Sequence, residues 1–281
     1  MTKNRSRFNR IDKGKSANAL AKEAYSVKPE DIEFEEEPTT EGGTFYSSAV
    51  CLYGQVKIGK STFASLLDKV YFLPTEVGYS WLNVRKTFIP NWASFKKFVQ
   101  LVEKKPKLVR TVNMWCIDTT SNLSKFCTQY VCGREDIRHP SDQKWGKGWE
   151  AIADEFSHWI LRLAILGPGI LFICHEKERE IISHSAKITK KGPDLIKSHY
   201  NIVNQMCDLI LNMDFQSHNV KKQKKSFKKS GNQDTIVVDR CIFTKPSDER
   251  EAGDRTGLGL PEKILFRTEQ EVVKTLLGFF E

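Results

Sequence analysis

The chain has 281 residues, 40% of them hydrophobic, seven cysteines and a formal charge of +9. That length and apolar content can bury one large core. No apolar run approaches the ~20 residues of a bilayer-crossing helix, and no apolar stretch follows the N-terminal charges, so a soluble intracellular protein without a membrane partner is expected. An odd cysteine count with no CxxC pair argues against a disulfide framework and against zinc. Cys51, Cys116 and Cys174 sit inside apolar runs, and Cys127 and Cys132 lack a second pair at metal-ligand spacing.

Residues 1–43 are polar, first basic and then acidic through Asp31–Glu37, and close on Gly42 and Gly43. They read as a flexible arm before a domain over 44–281. Ala49–Tyr53 is a short apolar run with the look of a buried strand, and Thr62–Lys69 follows as a helix. Between them, Gly54, Gln55, Val56, Lys57, Ile58, Gly59, Lys60, Ser61 and Thr62 fit the phosphate-cradling pattern GxxxxGK[ST]. The glycines let backbone N–H groups curl toward phosphate oxygens at a helix N-terminus. Lys60 would reach the β- and γ-phosphates, Ser61 would ligate Mg²⁺, and Thr62 would touch the α-phosphate. A nucleotide with Mg²⁺ is the expected ligand.

Further strands are expected at Val70–Leu73, Val112–Ile117, Ile170–Cys174 and Leu209–Met213, alternating with helical patterns. This alternation predicts an α/β fold, a mostly parallel sheet flanked by helices. Three of these strands end on chemistry. Glu76 could polarise the water that attacks the γ-phosphate, Asp118 could hold the metal's water shell, and His175 could sense the γ-phosphate. The clearest helix is Gly148–Leu163, with Trp149, Ile152, Phe156, Ile160 and Leu163 on one stripe and Gly167–Gly169 as its stop. His158, beside that stripe, is assigned no role. Thr235–Phe243 reads as an added strand and Thr268–Leu277 as a terminal helix.

Lys221–Lys229 supplies six positive charges and sits in a lysine-rich loop near 220–233. With Phe227 embedded, it could follow a nucleic-acid backbone and stack one base. Glu176–Tyr200, carrying Lys177, Arg179, Lys187, Lys190, Lys191 and Lys197, is a second candidate, as a mobile loop.

The order of these features resembles the phage RecA-like AAA-type ATPases, which include the Sak-type single-strand annealing proteins. The resemblance is carried by the phosphate loop, a strand ending in Thr75-Glu76 and a strand ending in Ile117-Asp118-Thr119. It continues through Trp145–Trp149 at a helix entry, Ile173–Glu176, and Ala252–Arg255, and covers roughly residues 45–280. It implies a RecA-like P-loop NTPase core, ATP and Mg²⁺ as cofactors, and single-stranded DNA as partner. It also implies a role in recombination, annealing or replication in the cytoplasm of a phage-infected host. Self-assembly and contact with another replication or recombination protein fit the same resemblance. It makes Arg255 a candidate finger reaching a neighbouring subunit's nucleotide, beside catalytic roles for Lys60, Glu76, Asp118 and His175. The loop interior Gln55–Ile58 is bulkier and more charged than the group's glycine- and proline-rich version, and the lysine-rich insert matches none of its motifs. The residues alone also allow a P-loop kinase of a nucleotide or metabolite, or a nucleotide-dependent scaffold or loader with little turnover.

Overall fold

The inner strands of the central sheet, at Ala49–Gly54, Val70–Pro74, Met114–Asp118 and residues 170–174, are buried on nearly every residue, which is what a sheet covered on both faces requires. The computed structural model describes residues 43–183, 186–221 and 234–281. The arm expected over residues 1–43 falls outside the described residues up to position 42, and the lysine-rich loop does so from 222 to 233. In chain order the elements begin with β1 (Ala49–Gly54), α1 (Lys60–Ser65), β2 (Val70–Pro74), β3 (Arg85–Lys86), α2 (Trp92–Val102) and α3 (Pro106–Val109). They continue with β4 (Met114–Asp118), α4 (Thr120–Arg134), α5 (Lys147–Ala164), β5 (Gly169–Ser183), β6 (Ala186–Pro193) and α6 (Lys197–Met206). The chain finishes with β7 (Leu209–Lys221), β8 (Asp234–Phe243), β9 (Gly253–Asp254), β10 (Lys263–Phe266) and α7 (Glu269–Leu277).

The strands lie in the order β10-β8-β7-β1-β5-β4-β2-β3. From β7 to β3 all neighbours are parallel, while β8 and β10 add antiparallel pairs at one side. The fold is therefore α/β with a mostly parallel sheet flanked by helices, as expected. β5 lies between β1 and β4, so the strand carrying the phosphate loop and the strand ending in Asp118 are not neighbours.

Alternation sorts the two cores. Cys51 and Tyr53 of β1, Trp115 and Ile117 of β4, and Phe172 and Cys174 of β5 face one side, where Phe95, Val99, Leu123, Phe156, Ile160 and Val203 of the helices cover them. Val50, Leu52, Met114, Cys116, Leu171 and Ile173 face the other, against Phe63 and Ala64 of α1 and Val272 and Leu276 of α7. All seven cysteines are buried and unpaired. Among the described residues no helix is long and apolar enough to cross a membrane.

Three expectations are corrected. The first helix runs over Lys60–Ser65, not Thr62–Lys69. Gly59, at φ +116°, lets it start two residues early, and bonds from Leu66 N to Phe63 O and Leu67 N to Ala64 O tighten its end into a 3₁₀ turn. Glu176–Tyr200 is not a loop: β5 continues to Ser183, pairs antiparallel with β6, and α6 follows. Main-chain pairing over eight register positions, Glu176↔Pro193 to Ser183↔Ala186, overrides its polar composition. Trp149, placed on the buried stripe of α5, is 37% exposed and sits edge-on to the His139 ring, while Trp159 takes part in the core instead.

One buried side chain escaped sequence reading. His199 of α6 is fully buried, its ring stacked on Phe156 at 3.9 Å between centroids. Since a carbonyl can only accept, Nε2 carries the proton toward Ile152 O (3.4 Å), and Nδ1 receives the Ser124 hydroxyl (2.7 Å). Burial lowers the imidazole from 6.5 to about 4. The folded chain thus binds fewer protons than the unfolded one between these values. Its stability is complete above pH 6.5 and declines as pH falls toward 4, by roughly 3 kcal/mol from this residue. Denaturant melts at pH 7 and pH 4.5 should show that acid loss in the wild type, and a smaller one in His199→Gln.

Candidate active site

The C-terminal ends of β1, β4 and β2 and the point where β5 leaves the parallel sheet stand side by side at one edge. Register pairs Gly54 with His175, Asp118 with Ile173, and Pro74 with Asp118, so Glu76 emerges just beyond β2. Ligands of open α/β sheets bind at this edge, beyond the carboxyl ends of the strands.

The phosphate loop leaves β1 at Gly54, where close approach rules out a side chain: a Cβ there would lie 2.1 Å from Met213 O on β7. Ile58 is buried in the core and pins the loop's middle, while Gln55, Val56 and Lys57 are exposed. Gly59 is needed for its positive φ, and a Cβ there would also push aside the Glu269 carboxylate, whose Oε1 would lie 2.5 Å away. Lys60 is only 6% exposed, and its Nζ donates to Gly54 O (2.8 Å) and Gln55 O (2.6 Å), drawing the loop around its own ammonium. Burial lowers its pKa, and the Asp118 carboxylate pulls the other way.

Ser61 Oγ donates to Asp118 Oδ2 at 2.5 Å. Asp118 is 3% exposed; burial pushes its carboxyl up, against hydrogen bonds from Ser61 and Tyr79 and the charge of Lys60. A hydroxyl and a carboxylate oxygen in contact, with a lysine alongside, form the sparse hard-oxygen set that suits Mg²⁺ shared with phosphates and water. These residues fit the ion.

Glu76 is fixed by three donors on Oε1: Asn122 Nδ2 (2.8 Å), His175 Nε2 (3.0 Å) and Thr119 Oγ1 (3.1 Å). Because a carboxylate only accepts, Nε2 of His175 carries the proton. The His175 main-chain N–H is held by Ser121 Oγ (3.0 Å), and its buried Nδ1 has no hydrogen-bond partner. Thr75 locks the carboxyl end of β4, taking the Thr119 N–H on its Oγ1 (2.9 Å) and donating to Thr119 O (3.0 Å).

Thus Lys60, Ser61, Asp118, Glu76 and His175 are brought together, and Thr62 lies exposed beside them on α1. Arg255 is not. Its Nη2 donates to Gln205 O (3.0 Å) and Cys207 O (2.6 Å) just before β7, at the opposite end of the parallel strands. Beside Asp208 it ties that turn within its own chain; the role expected of it was toward a neighbouring subunit's nucleotide and not this site. Sequence reading missed Tyr79, whose hydroxyl donates to Asp118 Oδ2, and Asn122 and Thr119, which orient Glu76. It also missed Arg240 on β8, which reaches Ile58 O of the phosphate loop (3.4 Å) and pairs with Glu269. Thr119 and Asn122 follow Asp118 directly, so the strand-end pattern was a usable signal for them; Arg240 had none.

Gly54→Ala should lower unfolding stability by about 2 kcal/mol or more, because its methyl would meet backbone and not a flexible side chain. Urea denaturation of the variant against wild type measures this.

A protein-family model described as "AAA domain" matches residues 47–256, well over half of the chain. No curated protein matches. Among solved structures, the flagellar accessory protein FlaH of Methanocaldococcus jannaschii is similar at 12% identity and a TM-score of 0.41, over 80% of this chain and 87% of that one. A KaiC-like protein of Pyrococcus horikoshii OT3 is similar at 12% identity and a TM-score of 0.37, over 72% of this chain and 79% of that one. With its phosphate loop, the Asp118 strand end and the family match in agreement, the chain belongs to the AAA domain family.

Proposed function

We propose that this chain is a magnesium-dependent, RecA-like ATPase of the phage Sak type, acting on single-stranded DNA in recombination, annealing or replication. The observation that carries the nucleotide part is the convergence of Lys60, the Ser61–Asp118 pair and the Glu76–His175 pair on one sheet edge. Each side chain then has a distinct task. The Lys60 ammonium, already aimed at loop carbonyls, transfers to β- and γ-phosphate oxygens. Glu76 uses Oε1 to be held, and Oε2, which accepts none of those three bonds, takes the proton of the attacking water. His175 keeps Glu76 oriented and lies where β5 leaves the parallel sheet, the place where the γ-phosphate would be felt. Ser61 and Asp118 would hold magnesium, which would supply positive charge to offset that of the phosphates.

The DNA part is supported by the hairpin of β5 and β6, which begins at the residue after His175. Lys177 and Lys187 on it are 59% and 72% exposed, available to phosphates in addition to their loose carboxylate contacts. A hairpin continuous with a γ-phosphate sensor is a direct route from nucleotide state to DNA affinity. The same reading places the protein in the cytoplasm of an infected cell, with a second copy of the chain as a natural partner.

Hydrolysis should be measured for wild type and Lys60→Ala, with and without single-stranded DNA, over a range of salt. Stimulation by DNA that fades with salt and vanishes in the variant supports the proposal. Lys60-dependent hydrolysis indifferent to DNA would remove the DNA half and leave a kinase or scaffold. Glu76→Gln should cut kcat by at least ~100-fold while nucleotide affinity stays within a few-fold. An equal loss in binding would deny Glu76 its role as base.

A further inference from the structure

Asp118 Oδ2 accepts two hydroxyls at once, from Ser61 at 2.5 Å and from Tyr79. These two bonds engage the oxygen that a hydrated metal ion would need. Tyr79 also belongs to the segment that carries Glu76. From Glu76 to Trp81 that segment is tethered lightly: Val77 is 90% and Trp81 95% exposed, and Gly78 has φ +125° with open space where a side chain would be. The side-chain hydrogen bonds it makes to the body are those of Glu76, with Asn122, Thr119 and His175, and of Tyr79, with Asp118. The Tyr79 ring has separate support, edge-on to Phe72 at 6.1 Å, and its carbonyl accepts from Lys86 Nζ at 2.9 Å.

We propose that the Tyr79 hydroxyl is a latch that competes with hydrated Mg²⁺ for Asp118, so that metal binding frees the Val77–Trp81 segment beside Glu76. This rests on the nucleotide-and-magnesium reading of the site. Ser61 can exchange its carboxylate bond for the metal and remain a ligand. Tyr79 is not a ligand of the ion, and a metal-bound water that donates to the Oδ2 lone pair it holds would displace it. Gly78 supplies the backbone freedom for the segment to leave. Release would expose the Tyr79 hydroxyl and relocate the Trp81 indole at the rim of the site.

The test uses Tyr79→Phe in the full chain, which keeps the ring and its contacts and deletes one oxygen. Binding of the fluorescent nucleotide mant-ADP is titrated with Mg²⁺, and again in EDTA. The expected result is a roughly tenfold lower Mg²⁺ requirement in the variant, with unchanged affinity in EDTA. Trp81 emission, taken as the difference between each protein and its Trp81→Phe counterpart, gives a second readout. It should shift in wild type on adding Mg²⁺ and ADP, and stand already at the shifted position in Tyr79→Phe. An unchanged or higher Mg²⁺ requirement would show that Tyr79 merely orients Asp118 and would overturn the latch, as would Trp81 emission identical in the two proteins before addition. Wild type that fails to bind mant-ADP at all would overturn the nucleotide reading and the latch together, whereas normal wild-type binding with an unresponsive variant overturns the latch alone.

Discussion

The insertion of β5 between β1 and β4 is the constraint from which the site follows. Because β5 pairs parallel with both, the register that satisfies its backbone sets His175 level with Gly54 and places Asp118 one strand further on. The gap this leaves between phosphate loop and carboxylate is spanned by one short side chain, Ser61. Had β1 and β4 been neighbours, no strand end would stand between loop and carboxylate for His175 to occupy. The two cores hold this register from both faces, and a slip of one residue would exchange the apolar sets of β1, β4 and β5 between clusters.

Much of this was legible in sequence because the signals were short-range. Apolar runs bounded by turns gave the parallel strands, and the carboxylate or imidazole at a strand end gave Asp118, Glu76 and His175. The phosphate loop was legible because it is a backbone device whose glycines have local causes. What could not be read depends on pairing at a distance. The hairpin of β5 and β6 is made of charged residues that look like a loop, and only strand-to-strand hydrogen bonding makes it a strand pair. Arg240 sits 182 positions from the carbonyl it braces, Ile58 O. Arg255 was read from motif order as a finger toward a neighbouring subunit, while its contacts within the chain, with carbonyls at the turn from α6 into β7, had no signal in the sequence.

The site carries a cost that explains its wiring. Lys60 and Asp118 are nearly excluded from water, and burial works against the charged form of each. The pair offsets part of this electrostatically, and the remainder is met by hydrogen bonds: two carbonyls for the ammonium, two hydroxyls for the carboxylate. A group satisfied by neutral partners in this way is stable yet exchangeable: in the proposed function, phosphate oxygens would replace the carbonyls and metal-bound water the phenol without leaving a buried charge bare. Glu76 differs. At 40% side-chain exposure it stays open to solvent, as its proposed role as base would require.

The same reasoning reaches the roots of the two long hairpins. Lys191 on β6 sends its ammonium to Asp214 on β7 (2.8 Å) and Glu176 on β5 (3.4 Å), whose side chains are 6% and 10% exposed. Removing Lys191 would leave two buried carboxylates close together, which makes this ion triad a fixed joint between the hairpins and not a surface contact. Glu176 is the residue after His175, so the joint begins one peptide from the group that orients Glu76. A displacement of the β5 end large enough to release Glu76 must therefore either carry Lys191 with it or break charge pairing in a dry environment, and the first alternative is the less costly.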